Sequence, residues 1–290
     1  METITKLSTA EQTAATTIVE TLRAEFEQIT NFATGKKKLS KIVKIILFGS
    51  RATGKAVSNR ITGYLSDYDI LIIINRRELI NHNLWHTAEE RLRAKIPMQV
   101  NFIVHTSAEV NNALKKGHYF FKDIRKSGVV LYESSTKPLA QPGDLSATEY
   151  QAIARDHFTQ WYPSACTFLD VFEYCLGKQQ YNNAAFQLHQ ATERFYACLL
   201  LVLTNYKPHT HDLKHLNALC IQQDRRVAKI FPQAKKIDRR AFQLLKKAYI
   251  EARYSHAYKI TGEELTWLSE RVELLRDLVK TISAEKMAKG

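Results

Sequence analysis

Asp67 and Asp69 stand one residue apart at the head of an apolar run, Ile70, Leu71, Ile72, Ile73 and Ile74. On a strand, residues i and i+2 project from the same face, so the two carboxylates point together. At roughly 7 Å and an effective dielectric of about 20 they repel by about 2 kcal/mol. A divalent cation relieves that repulsion, and oxygen ligands of this kind select Mg²⁺ or Mn²⁺ over zinc. Upstream, Gly49 and Ser50 close the run KIVKIILF. Glycine permits close backbone approach to a ligand, while the Ser50 hydroxyl and neighbouring amides can hold a phosphate. Arg51, Lys55 and Arg60 in the following loop could neutralise the rest of a triphosphate. Two solvated edge acids and an ordinary Gly-Ser turn are the competing interpretation.

The elements that must position these residues are legible in outline. Residues 41–48 and 67–74 are short, β-branched and bounded by turn residues, which predicts two strands. MQVNFIV (98–104) and VVLY (129–132) predict two more. Ser8 and Glu11 spell a capping box that opens a helix ending at Gly35. Further helices are expected over 76–95, from a Ser107 cap, and over 118–128. This mixture describes an α/β domain with a mixed sheet over residues 1–135. Pro138, Pro142 and Gly143, without apolar periodicity, mark a linker over 136–148. Beyond it the pattern is helical throughout. Capping boxes at Ser146–Glu149 and Thr261–Glu264 frame an all-α bundle over 149–290.

The chain has 290 residues and a formal net charge of +13, with Lys and Arg in excess in both halves. That balance favours anionic partners such as nucleotides or RNA. The four cysteines lie in the second half without metal-type spacing, as expected of reduced thiols in a cytoplasmic protein. The N-terminus carries no signal-peptide pattern, and ACLLLVL (197–203) is too short to cross a bilayer; no membrane association is expected. His211 and His215, four apart and near His209, have one-face spacing for zinc. No carboxylate or cysteine closes that set. Arg225, Arg226, Lys229, Lys235, Lys236, Arg239, Arg240, Lys246 and Lys247 form a basic cluster that suits either RNA or solvent.

FGSRATGKAVSNRITGYLSDYDILI resembles the signature of the nucleotidyltransferase superfamily that includes minimal nucleotidyltransferases, kanamycin nucleotidyltransferase and DNA polymerase β. The resemblance implies an Mg²⁺- or Mn²⁺-dependent enzyme that transfers a nucleoside monophosphate, AMP above all, from ATP or another NTP. It makes Asp67 and Asp69 the catalytic metal ligands and Gly49 and Ser50 triphosphate contacts. Such proteins usually supply a third carboxylate from a later strand. The matching position here is Asn101, and an amide cannot act as a base; Glu109 and Asp123 are the candidate substitutes.

AAFQLHQATERFYACLLLVLTNYKPHTHDLKHL, with EARYSHAY further on, resembles the HEPN domain. RNA-cleaving HEPN domains carry Arg, four to six residues, then His, often followed by Tyr. Arg253, His256 and Tyr258 are the matching residues, with only two residues between Arg253 and His256. Spaced three apart on one helical face, Arg253 could hold a phosphate while His256 moves a proton. Related toxin–antitoxin pairs imply Tyr258 as a residue modified with AMP, and His211 as a packing or capping residue. The implied partners are a nucleotide and an RNA or protein acceptor, with a homodimer through the bundle left open. Three functions compete: a nucleotidyltransferase, a catalytically impaired nucleotide- or RNA-binding regulator, and a HEPN RNase fused to its own regulator.

Overall fold

The computed structural model describes residues 2–288 except 55, 57 and 60–63. The chain divides into two compact units, residues 1–57 with 65–144, and residues 145–290 with 58–64. In the first, strands β1 (Glu2–Thr3), β2 (Ile42–Phe48), β5 (Tyr68–Ile74), β6 (Val100–Thr106) and β7 (Val129–Glu133) form one mixed sheet ordered β1-β7-β2-β5-β6. The short strands β3 (Ser58–Asn59) and β4 (Tyr64–Leu65) pair separately. β2 runs antiparallel to both β5 and β7, whereas β5 and β6 are parallel.

Helices α1 (Thr9–Asn31), α2 (Gly49–Ala52), α3 (His86–Lys95), α4 (Ser107–Lys115) and α5 (Tyr119–Ser127) complete this unit. Ile18, Leu22 and Phe26 of α1 and Ala88 and Leu92 of α3 share a core with Tyr68, Ile70, Ile72 and Ile74. α4 and α5 approach the strands as well, and Phe48 meets Phe120 edge-on at 5.5 Å. Every residue of β5 is buried. A strand covered on both faces needs no polar alternation, which is why its sequence reads as a nearly continuous apolar run.

Two local expectations are corrected. The helix expected over 76–95 is regular only in α3; Arg77–Leu79 and His82–Trp85 form separate 3-10 turns. Asn81, between them, favours local backbone bonding over helix propagation. The cap of α4 is Thr106, which accepts from the Glu109 amide and so takes the place expected of Ser107. Within residues 136–148, the Ala140 amide donates to Asn111 Oδ1 at 2.7 Å and the Gly143 amide to the Leu114 carbonyl at 2.9 Å. A Cβ on Gly143 would come within 2.0 Å of the Lys115 carbonyl oxygen, so this close approach requires glycine.

The second unit is helical: α6 (Ala147–Gly177), α7 (Tyr181–Thr204), α8 (Leu213–Gln223), α9 (Lys236–Lys247), α10 (Glu251–Tyr254) and α11 (Gly262–Ala288). α7 is central, touching each of the other five, and buries Ala185, Leu188, Phe195, Leu199 and Val202. Both expected capping boxes form: Ser146 accepts from the Glu149 amide, and Thr261 from the Glu264 amide. Cys175, Cys198 and Cys220 are buried, and all four thiols are free. Among the described residues no helix is long and apolar enough to cross a membrane.

Candidate active site

β2 delivers the chain to Gly49, whose φ of 77° lies in the left-handed region that glycine enters without strain. The turn leaves the Ser50 hydroxyl oxygen buried, with no hydrogen-bond partner among the described residues. Strand register fixes what lies beside it: Phe48 pairs with Asp69, and Asp69 pairs with Asn101. The Gly-Ser turn, the acid pair and Asn101 therefore converge from three adjacent strands.

Asp67, Asp69 and Asn101 are 7%, 1% and 6% exposed, so both carboxylates sit largely out of water. Asn101 Nδ2 donates to Asp67 Oδ2 at 3.2 Å and to Asp69 Oδ1 at 3.3 Å. One amide nitrogen thus bridges the pair. Gln99, immediately before β6, orients that amide by donating from Nε2 to Asn101 Oδ1 at 2.7 Å. Sequence reading passed over Gln99, although its i−2 relation to Asn101 on a strand was visible.

Neither proposed substitute stands in for the missing acid. Glu109 belongs to the opposite end of β6, where it caps α4, lies 3.4 Å from His105 Nδ1 and pairs with Arg77 at 3.5 Å. From the Asp69–Asn101 pair to the Ile74–Thr106 pair the strands advance five residues, about 16 Å. Asp123 is an exposed residue of α5. Among the described residues no group of three His, Cys, Asp or Glu is placed to hold a metal ion.

Arg51 follows Ser50 but turns toward Ser66, Glu11 and Tyr68. Its Nε and Nη2 donate to the Ser66 carbonyl at 2.9 and 2.7 Å, and Nη1 lies 3.4 Å from Glu11 Oε1. Lys55 and Arg60 lie outside the described residues.

In the helical unit Arg253 and His256 do not share a helical face. α10 ends at Tyr254, Ser255 is extended, and His256 falls in the following turn, exposed. Four residues make barely one turn, too short to carry a face across that spacing. Arg253 donates from Nε to the Tyr249 carbonyl at 2.7 Å and packs over the rings of Phe186, Tyr249 and Tyr254. Tyr258 is buried, and its hydroxyl donates to the Leu244 carbonyl at 3.0 Å. Burial raises its pKa. AMP transfer to this residue would need its hydroxyl oxygen to attack an α-phosphorus, and that hydroxyl is engaged with the Leu244 carbonyl.

His211 precedes α8, whose cap is Asp212, so His211 and His215 are not a pair on one helix. Instead His211 Nδ1 meets Glu193 Oε2 at 2.9 Å, and its ring stacks on Tyr249 at 4.2 Å. Beneath them His189 is fully buried, and desolvation lowers its pKa to about 4. The unfolded chain, with a histidine pKa near 6.5, binds more protons between about pH 6.5 and 4. Stability is therefore retained above pH 6.5 and lost as pH falls toward 4, by about 3 kcal/mol in all. Thermal melts of His189→Gln are expected to show a shallower acid limb across that interval; an unchanged limb would reject this assignment.

The basic cluster is partly neutralised. Arg226 pairs with Asp224 at 2.8 Å and Glu285 at 2.6 Å, Arg240 with Glu264 at 2.8 Å, and Lys247 with Glu251 at 3.2 Å.

A family model described as polymerase beta, nucleotidyltransferase matches residues 27–137, and a HEPN domain model matches residues 158–282. No curated protein matches the chain.

Proposed function

The chain joins a polymerase beta-type nucleotidyltransferase domain to a HEPN domain, and from that premise we propose that it transfers a nucleoside monophosphate, AMP by preference, from an NTP to an acceptor hydroxyl. The observation that carries this reading is the convergence of two buried carboxylates on a Gly-Ser turn whose serine oxygen has no partner among the described residues.

The donor set suits Mg²⁺ or Mn²⁺. Asp67 and Asp69 are hard oxygen ligands within reach of one nitrogen, and Asn101 carries a neutral oxygen that rotation of its amide would present. Asp67 and Asp69 would hold a divalent ion, which would supply neutralisation of triphosphate charge and polarisation of the reacting phosphorus. Gly49 lets the backbone approach the triphosphate, and the Ser50 hydroxyl can donate to it. As the acceptor oxygen bonds to the α-phosphorus, the α–β bridging bond breaks and pyrophosphate leaves. Asn101 cannot take the acceptor's proton, so that proton passes to water or to a base brought with the acceptor. The HEPN domain presents the acceptor, RNA or protein, and residues 136–148 join the two functional parts.

Asn101 also favours a second reading, in which a site short of one acid binds nucleotide and regulates without turnover. Incubation with α-labelled ATP and Mg²⁺, alone and with cell extract, separates the two. Transferase activity predicts label on a macromolecule or small acceptor; nucleotide binding with no labelled species supports the regulator. Absence of nucleotide binding would reject both.

A further inference from the structure

We infer that Arg51 is a positioning residue, clamping the Gly49–Ser50 turn to the start of the acid-bearing strand through the Ser66 carbonyl and the Glu11 carboxylate. Its catalytic consequence rests on the function proposed above. Its geometry stands independently.

Arg51 immediately follows Ser50, and Ser66 immediately precedes Asp67, so one side chain connects both halves of the site by direct sequence neighbours. Two guanidinium donors converge on the Ser66 oxygen at 2.9 and 2.7 Å, and a third faces Glu11 at 3.4 Å. The guanidinium carbon lies 4.3 Å from the centre of the Tyr68 ring. Tyr68 alternates with Asp67 and Asp69 along the chain and joins the core shared with α1 and α3. Arg51 is therefore engaged on the side of the sheet away from the carboxylates. Its side chain is only 12% exposed.

Glu11 serves two elements at once. Oε2 accepts from the Ser8 amide and hydroxyl to close the capping box of α1, while Oε1 faces Arg51. The start of α1 thus fixes the rotamer of an arginine forty residues later. A planar fork can hold a carbonyl, a carboxylate and a ring together, whereas the ammonium of lysine cannot. Charge paired with Glu11 also contributes less potential at the triphosphate side.

The test compares full-length wild type, Arg51→Ala, Arg51→Lys and Glu11→Gln. Amide exchange is followed without ligand over 49–54 and 64–70, with ATP affinity measured by calorimetry in Mn²⁺ and turnover by α-label transfer. A clamp predicts that Arg51→Ala accelerates exchange at least about tenfold in both segments and not within α7. It also predicts about a tenfold loss of kcat with less than threefold change in ATP affinity, no rescue by lysine, and a weaker effect in the same direction for Glu11→Gln. A phosphate contact predicts the reverse: Arg51→Ala weakens ATP binding more than about tenfold, Glu11→Gln tightens it by freeing the arginine, and exchange stays unchanged. That pattern would overturn the inference. If wild type itself binds no ATP, the functional reading fails separately, and exchange alone decides: acceleration in both segments upholds the clamp, and unchanged rates reject it.

Discussion

Asp69→Asn is expected to abolish nucleotide transfer, lowering it by at least about 10³-fold, while raising the thermal stability of the metal-free protein. The two effects have one origin. Asp67 and Asp69 are buried and bridged by a single Asn101 nitrogen, so their oxygens lie within about 6.5 Å of each other. Uncompensated, that repulsion is about 2–3 kcal/mol at an effective dielectric near 20. The Asn101 amide offsets part of it. Asparagine at 69 removes one charge and supplies a donor toward Asp67, which raises the melting temperature in chelator by a few degrees. A thousandfold loss of rate corresponds to about 4 kcal/mol of transition-state stabilisation, within the several kcal/mol expected of a metal-centred charge contribution. Melting curves in chelator and label transfer in Mg²⁺ measure the two halves. Loss of stability together with retained transfer would show that Asp69 is a structural acid.

Asn101→Asp is expected to act in the opposite sense. It places a third carboxylate directly beside Asp69 in register and removes the amide donors that now bridge the pair. Without metal, three carboxylates crowd a buried site and the variant is less stable by about 2–4 kcal/mol. With Mn²⁺ or Mg²⁺ the third anionic ligand tightens binding and supplies a base for the acceptor hydroxyl. Transfer should then rise about 10- to 100-fold, the lower range of general-base effects. At a metal concentration a hundred times Kd, binding restores about 2.7 kcal/mol, so added metal should recover much of the lost stability. Calorimetric metal titration and label transfer on the same preparation check this. Unchanged metal affinity would mean that position 101 does not face the bound ion. Gln99→Leu provides the companion measurement: it releases Asn101 Oδ1 and should tighten metal binding modestly, by freeing the amide to turn.

Much of this site was legible in the sequence because its key relations are local. The i, i+2 spacing of Asp67 and Asp69 needs only a strand to become geometry, and the apolar run behind them announces one. The Gly49–Ser50 turn and the Asn101 position follow from neighbouring strands, once those strands are recognised. Capping boxes at Ser8, Ser146 and Thr261 were legible for the same reason, each being confined to four residues.

What the sequence hid depends on long-range packing or on helix termination. Glu11 and Arg51 meet across forty residues, and nothing in either segment encodes the other. Arginine in a basic loop reads as a phosphate ligand until Ser66 and Tyr68 are brought beside it. In the helical half, EARYSHAY looks like a continuous turn of helix, yet α10 stops at Tyr254 and Ser255 is extended. His256 therefore leaves the face of Arg253. His211 is separated from His215 by the Asp212 cap, a signal that THD carried and that the metal-like spacing obscured. Glu193 and His189, four apart on α7, acquire their role only when His211 and Tyr249 pack on them.

Electron paramagnetic resonance of Mn²⁺ titrated with a nonhydrolysable ATP analogue, on wild type and on Asp67→Asn/Asp69→Asn, tests the nucleotidyltransferase site most directly. Wild type should bind Mn²⁺ in the presence of the nucleotide with a Kd below about 100 μM, tight enough for the −5 to −6 kcal/mol expected of a specific ion site, and the double variant should leave it free in solution. Equal Mn²⁺ binding by both proteins, or none by either, would contradict the placement of the metal on these two carboxylates.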